Sequence, residues 1–283
     1  MPRLIYSVLV CVLISFCLFN VNEVNKRISM SLKIAIKHMI DVQSYFEEKT
    51  IPVNECPDHQ YKIQIITRNP LIIYIDKFLT QNEIKHLIEL AEPLFKQSGV
   101  YDNHGKLIQN NYRTSWTADL ERQETPIVKC IEQRFAQLQG NIDVEYLEPL
   151  QIVKYTSEQE FKPHFDWFSQ ADVLKNNGQR ITTFFTYLYS NCSYGETEFV
   201  HIRFDKVLHK KFCQILICDD KSSQMGLRFR PLPGNSIFWF NVNEQGKGDY
   251  LTYHAGRPPK KDGLKIGLNT WTHDSKVFVK KRE

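Results

Sequence analysis

A dense basic block is missing from this chain, and so is any large charge excess. Its 36 Lys and Arg stand against 32 Asp and Glu, a formal net of +4 over 283 residues. Lysines scattered at that density read as solvated surface, so nucleic acid is not an expected partner. Internal repeats and low-complexity tracts are also absent, which leaves one large domain or two small ones with ample length for a core. None of the seven cysteines forms a Cys-x-x-Cys pair. No His-Glu-x-x-His occurs, so the chain lacks the ligand set of a common class of zinc hydrolase. Long apolar runs are absent but for one, Leu4 to Phe19, broken only by Ser and Tyr and extended by Val21. Phe16 to Asn20 offers no A-x-A-like cleavage site, so residues 1–22 read as an uncleaved membrane anchor rather than a removed signal. Arg3 precedes this run while Lys26, Arg27, Lys33 and Lys37 follow it, a bias that favours a cytosolic C-terminal side.

What is present divides the chain further. Ile28, Leu32, Ala35, Ile36, Met39, Ile40 and Phe46 fall near helical spacing, so residues 23–60 read as a stem and linker, broken by Pro52 and Pro57. Residues 61–283 then form the folded domain. Ile63 to Ile75 reads as β segments around Asn69-Pro70. Thr80 with Glu83 has capping-box spacing and opens a helix striped by Ile84, Leu87, Ile88, Ala91, Leu94 and Phe95, which Pro93 should shorten. Thr125-Pro126 opens a second helix carrying Ile127, Ile131, Phe135 and Leu138.

From Leu147 the pattern changes to short β-rich runs: LQIVKY, HFDWF, ITTFFTYLY, TEFVHI, FCQILIC, SIFWFN, LTYHA and KIGLNTWT. Helices before a double sheet predict an α+β fold with a sandwich or jelly roll. Cys213 and Cys218 are close enough in sequence for a local bridge, or are small core residues, which leaves the compartment open.

The stretch FKPHFDWF, Phe161 to Phe168, is the chemical centre. His164 and Asp166 are two apart, and in a strand such residues share a face. An imidazole and a carboxylate aimed at one point are two thirds of the two-His, one-carboxylate set that holds non-haem Fe(II) and leaves positions open. His254, in YLTYHAG, is the candidate third ligand. By itself the short motif is equally the mark of a half-buried strand with a surface His and Asp.

More residues recur in order: Arg113-Thr114-Ser115, Glu148 followed by LQIVKY to Tyr155, HFD, Gln179-Arg180 through Tyr187-Leu188, Gly195-Glu196-Thr197, His254-Ala255-Gly256, then Lys265 with Asn269, Trp271 and His273. With these blocks, Leu71 to His273 resembles the prolyl 4-hydroxylase branch of the Fe(II) and 2-oxoglutarate dependent dioxygenases. The resemblance implies a double-stranded β-helix, a jelly-roll variant, with Fe(II) held by His164, Asp166 and His254. It implies 2-oxoglutarate as cosubstrate, O2 as oxidant and L-ascorbate to keep the iron reduced. Lys265 would pair the cosubstrate carboxylate, with Tyr155, Tyr187 and Thr197 around it. The spacing from His254 is one residue longer than the family's, and Ile266 replaces the usual Trp, so Lys260 or Lys261 is an alternative cation. Arg113, Ser115, Glu148, Arg180, Trp271 and His273 would line the groove for a proline-containing peptide, with the loops Tyr101–Asn110 and Ser169–Gly178 closing over it.

The expected reaction is hydroxylation of a peptidyl proline with 2-oxoglutarate decarboxylated to succinate. The alternatives are hydroxylation of another peptidyl or small-molecule substrate, and a non-catalytic membrane-tethered peptide-binding module. The resemblance also implies the endoplasmic reticulum or another secretory membrane with a lumenal domain, against the charge bias around the anchor. Oligomeric state is not legible.

Overall fold

A computed structural model of the protein describes residues 56–101, 107–169, 174, 178–219, 226–260 and 262–279. The expected anchor and all but the last residues of the expected stem lie outside the described residues, as do half of the expected closing loop 101–110 and most of the loop 169–178. Among the described residues, no helix is long and apolar enough to cross a membrane.

Two helices lie where the caps place them, the first after β-structure at residues 62–76 and not ahead of all the strands. Helix α1, Gln81–Ala91, begins at Thr80, whose hydroxyl accepts from Glu83 N while the Glu83 carboxylate accepts from Thr80 N. This reciprocal pair satisfies two backbone donors that a helix start leaves open. The helix stops before Pro93, which sits in a 3-10 turn at Glu92–Leu94. Helix α2, Pro126–Leu138, is capped by Thr125 with Pro at its first position. Arg134 ties the two together, its Nη2 donating to Glu83 Oε1 at 2.7 Å and its Nη1 to the carbonyl of Phe78.

The strands are β1 Lys62–Arg68, β2 Leu71–Asp76, β3 Lys96–Gln97, β4 Val100–Tyr101, β5 Leu107–Ile108, β6 Trp116–Asp119, β7 Gln151–Tyr155, β8 Phe161–His164, β9 Arg180–Ser190, β10 Thr197–Arg203, β11 Gly226–Phe229, β12 Ser236–Phe240, β13 His254–Gly256 and β14 Lys265–His273. They pair antiparallel into an eight-stranded sheet, β1-β2-β12-β9-β14-β7-β6-β3, and a four-stranded sheet, β11-β10-β13-β8, with β4 and β5 pairing apart. The central strands of the large sheet are buried on both faces, and alternation divides their side chains. Ile75, Ile152, Phe184, Phe238 and Leu268 pack with Ile84, Leu87, Ile131 and Phe135 of the helices. Tyr74, Val153, Phe185, Tyr187, Ile237 and Trp239 point the other way and pack with Phe199, Leu227 and Phe229 of the small sheet. Double burial is why these strands read as nearly continuous apolar runs.

Three of the expected runs differ. FCQILIC is not a strand: a 3-10 turn at Lys210–Phe212 leads into a turn closed by a Cys213–Cys218 disulfide, with Cα atoms 5.5 Å apart. Five residues of extended chain would span roughly 16 Å, so the bridge and a strand exclude each other. The edge of the small sheet is instead β11, a short segment with a central Arg and no strand signature. HFDWF is strand only as far as His164, and LTYHA only from His254, after a 3-10 turn at Tyr250–Thr252.

Cys56 and Cys130 form a second disulfide that joins the start of the unit Cys56–Glu283 to α2 across 74 residues. Loop-closure entropy grows with the loop, so Cys130→Ser is expected to lower unfolding free energy by about 4 kcal/mol and Cys218→Ser by only about 2. Urea titration of the two variants measures the difference, and equal losses would contradict the entropic reading.

Candidate active site

His164 is the last residue of β8 and His254 the first of β13, and the two are cross-strand partners. Their rings lie 4.3 Å apart between centroids. Asp166 is two residues past the end of β8, in a bend. Convergence of imidazole and carboxylate is therefore achieved by the turn beyond the strand, and not by the shared strand face that the spacing suggests. The Nε2 atoms of His164 and His254 stand 3.6 Å and 3.5 Å from Asp166 Oδ1 and Oδ2. These separations exceed hydrogen-bond length, and ligand atoms of all three residues fall within 4.8 Å of one another.

The opposite ring nitrogens are already engaged. His164 Nδ1 lies 2.8 Å from the carbonyl of Lys162, and His254 Nδ1 lies 2.9 Å from that of Thr252. A carbonyl only accepts, so Nδ1 of each ring carries a proton and Nε2 is the nitrogen turned to Asp166. Phe161 stacks on His164 at 3.5 Å, and Trp239 meets His254 edge-on at 4.9 Å, which fixes both rings. Burial pushes the His254 imidazole down to about 4, only partly offset by Asp166, so it is neutral at physiological pH. Burial alone would raise the Asp166 carboxyl, but the two imidazoles and Arg180 outweigh it and hold the group well below the usual carboxylate range. Two imidazole nitrogens and one ionised carboxylate are the donor set that suits Fe(II).

Lys265 opens β14 beside Tyr155 of β7 and is fully buried. Its Nζ donates to the carbonyls of Gly195 at 2.8 Å and Arg257 at 3.3 Å and stands 4.4 Å from the Tyr155 ring centroid. Gly195 has φ +83°, a left-handed conformation in which a side chain would be strained. Burial pulls the Lys265 ammonium down to about 8. Of the alternative cations, Lys260 is exposed over the Tyr194 ring, and Lys261 lies outside the described residues. Tyr187 donates to Thr197 Oγ1 at 2.8 Å, which leaves the Thr197 proton free to donate elsewhere. Tyr155 is buried and engages Ser115.

The expected peptide-groove residues fall into two groups. Arg180 donates to Glu148 from Nε at 2.5 Å and Nη2 at 2.9 Å, and His273 Nε2 lies 2.6 Å from the same carboxylate. Burial would raise Glu148, but Arg180 and His273 outweigh it and bring it to about 2. The Arg180 guanidinium lies 3.8 Å over the Trp271 ring. Arg113 and Ser115 stand apart from these four: Arg113 donates to Gln151 Oε1 at 2.7 Å and covers Phe161, and buried Ser115 bonds Ser98. Sequence reasoning missed Trp239 and Thr183, which touch metal-ligand candidates only through strand register, and also Phe161, which stacks on His164 from the same strand.

Comparison with known proteins fits this arrangement. Residues 150–273 match the 2OG-Fe(II) oxygenase superfamily. Prolyl 4-hydroxylase 5 of Arabidopsis thaliana is 31% identical over 212 residues, covering 75% of this chain and 71% of that protein. The chain belongs to the prolyl 4-hydroxylase family of 2OG-Fe(II) oxygenases. Prolyl 4-hydroxylase subunit alpha-1 of Gallus gallus is 30% identical over 210 residues; the match takes in 72% of this chain but only 36% of that longer protein. The viral collagen prolyl hydroxylase of Paramecium Bursaria Chlorella virus-1, solved as a 2OG complex, shares the fold with a TM-score of 0.50 and 22% identity, over 71% of this chain and 94% of that one.

Proposed function

We propose that this protein is a 2-oxoglutarate-dependent dioxygenase that hydroxylates peptidyl proline, with Fe(II) held by His164, Asp166 and His254. The observation that carries the reading is the pair of Nε2 atoms facing a buried carboxylate, each imidazole held from behind by a backbone carbonyl. When bound, the iron supplies the oxidising chemistry, and 2-oxoglutarate supplies two of the four electrons that reduce O2 as it is converted to succinate and CO2. Every other part of the task falls to the chain. Lys265 holds the cosubstrate carboxylate, since an unpaired buried charge is costly. Thr197 and Tyr155 supply hydroxyl groups beside it, and Tyr187 keeps Thr197 turned for donation. L-ascorbate keeps the metal reduced between turnovers.

On the peptide side, Glu148 and Trp271 hold the Arg180 guanidinium as a rigid flat surface, with His273 on the same carboxylate and Arg113 and Ser115 on the other flank. An extended proline-rich segment is already ordered and docks on such surfaces at low entropic cost. Two disulfides support an oxidising compartment, the lumen of the endoplasmic reticulum or another secretory organelle. The apolar run Leu4 to Phe19 would tether the domain to its membrane.

The test uses the full chain with Fe(II), ascorbate and carboxyl-labelled 2-oxoglutarate, with and without a Pro-rich peptide. Labelled CO2 release that the peptide stimulates, with hydroxyproline formed, is the expected result. No release from protein shown to hold iron would overturn the enzyme reading in favour of a binding module. Release that no proline peptide alters would redirect the substrate to another peptidyl or small-molecule class.

A further inference from the structure

Asp166 is the one ligand candidate that no strand holds, so something else must fix its carboxylate. Thr183, on β9, donates from Oγ1 to Asp166 Oδ2 at 2.8 Å. Asn241, just past β12, donates from Nδ2 to Thr183 Oγ1 at 2.8 Å. All three are buried, Asn241 and Thr183 almost completely. The direction of this chain is forced. An ionised carboxylate only accepts, so the single hydroxyl proton goes to Asp166 and Thr183 can only accept from Asn241. The amide must then present its NH2 group, and its Oδ1 is left buried without a partner. Leaving such an oxygen unpaired is costly. The Asn241 backbone is pinned as well, its N donating to Ile181 O and its carbonyl accepting from Asp249 N.

We propose that Thr183, oriented by Asn241, is a positioning residue that holds Oδ2 of Asp166 and leaves Oδ1 to the metal. The inference rests on the metal reading of the site. A carboxylate free to turn could chelate with both oxygens and take a position that the facial arrangement keeps open for cosubstrate. Groups that orient a ligand from behind commonly contribute about 10–100-fold in metal affinity. Thr183 does so from β9, an element that carries no ligand.

The test is Mn(II) binding to the full chain, read from the loss of the free-ion electron paramagnetic resonance signal, which is independent of turnover. Thr183→Val is expected to raise the Mn(II) dissociation constant about 10–100-fold and, by leaving Asn241 Nδ2 buried without its acceptor, to lower the melting temperature while still folding, and Thr183→Ser to restore both. Asn241→Ala should weaken binding less, and should add nothing when combined with Thr183→Val, because it acts through that hydroxyl. A Thr183→Val protein that binds Mn(II) like wild type, or a Thr183→Ser protein as weak as Thr183→Val, overturns the proposal. If Thr183→Val does not fold, Asn241→Ala decides alone, and an unaltered dissociation constant there overturns it. Failure of the wild-type protein to bind Mn(II) would instead count against the metal site itself.

Discussion

Asp166→Ala and His164→Ala are each expected to reduce 2-oxoglutarate turnover on the order of a thousandfold or more, as when a group on which the rest of a site depends is lost. The reason is geometric. Two imidazoles locked by backbone carbonyls cannot move to replace a missing partner, and among the described residues Asp166 is the only carboxylate placed between their Nε2 atoms. The variants should remain folded, because the strands around them are held by the large apolar clusters and not by these polar side chains. Thermal melts with and without Mn(II) separate the two effects. The metal should raise the wild-type melting temperature by mass action and leave both variants unmoved. Wild-type turnover in either variant would refute the ligand assignment.

Lys265→Met is expected to raise the KM for 2-oxoglutarate on the order of a hundredfold while leaving the melting temperature equal or higher. A buried charged pair broken on one side costs about 3–5 kcal/mol, and the variant would bear this loss on binding the cosubstrate anion. In the free protein the balance is reversed, because among the described residues the ammonium has two carbonyls and an aromatic face as partners and burial pulls it down from 10.5 to about 8. Between those values the unfolded chain binds more protons than the folded one, so this group's contribution to stability rises with pH through that window. Below about 8 the folded protein carries the full cost of the buried charge, which methionine removes. The same titration sets cosubstrate binding with the opposite sense: kcat/KM for 2-oxoglutarate should fall as pH rises past about 8, where the cation is lost. A Lys265→Met protein that is less stable but binds 2-oxoglutarate normally would make Lys265 a structural residue.

The contrast between those two residues shows how differently parts of the site can be read. His164, Asp166 and His254 were legible because metal chemistry tolerates few side-chain types, and an imidazole two residues from a carboxylate is a short, recognisable pattern. Lys265 was one of three lysines until burial separated it from exposed Lys260. The helices were legible from their caps, Thr80 with Glu83 and Thr125 with Pro126, since capping is a matter of a few adjacent residues. FCQILIC misled because an apolar run has no period that distinguishes a strand from a turn closed by a disulfide.

Sequence alone determined the local terms: which segments cap and coil, which alternate, and which side chains could ligate a metal. Tertiary structure decided everything that depends on register between distant strands. Pairing of β13 with β8 sets His254 beside His164, and pairing of β14 with β9 and β7 buries Lys265 against Tyr155. Thr183 and Asn241 reach Asp166 across 17 and 58 residues of intervening chain, each link measured in turn. No local pattern encodes such contacts, because a hydrogen bond is set by distance in space, and strand register brings together residues whose separation along the chain carries no signal.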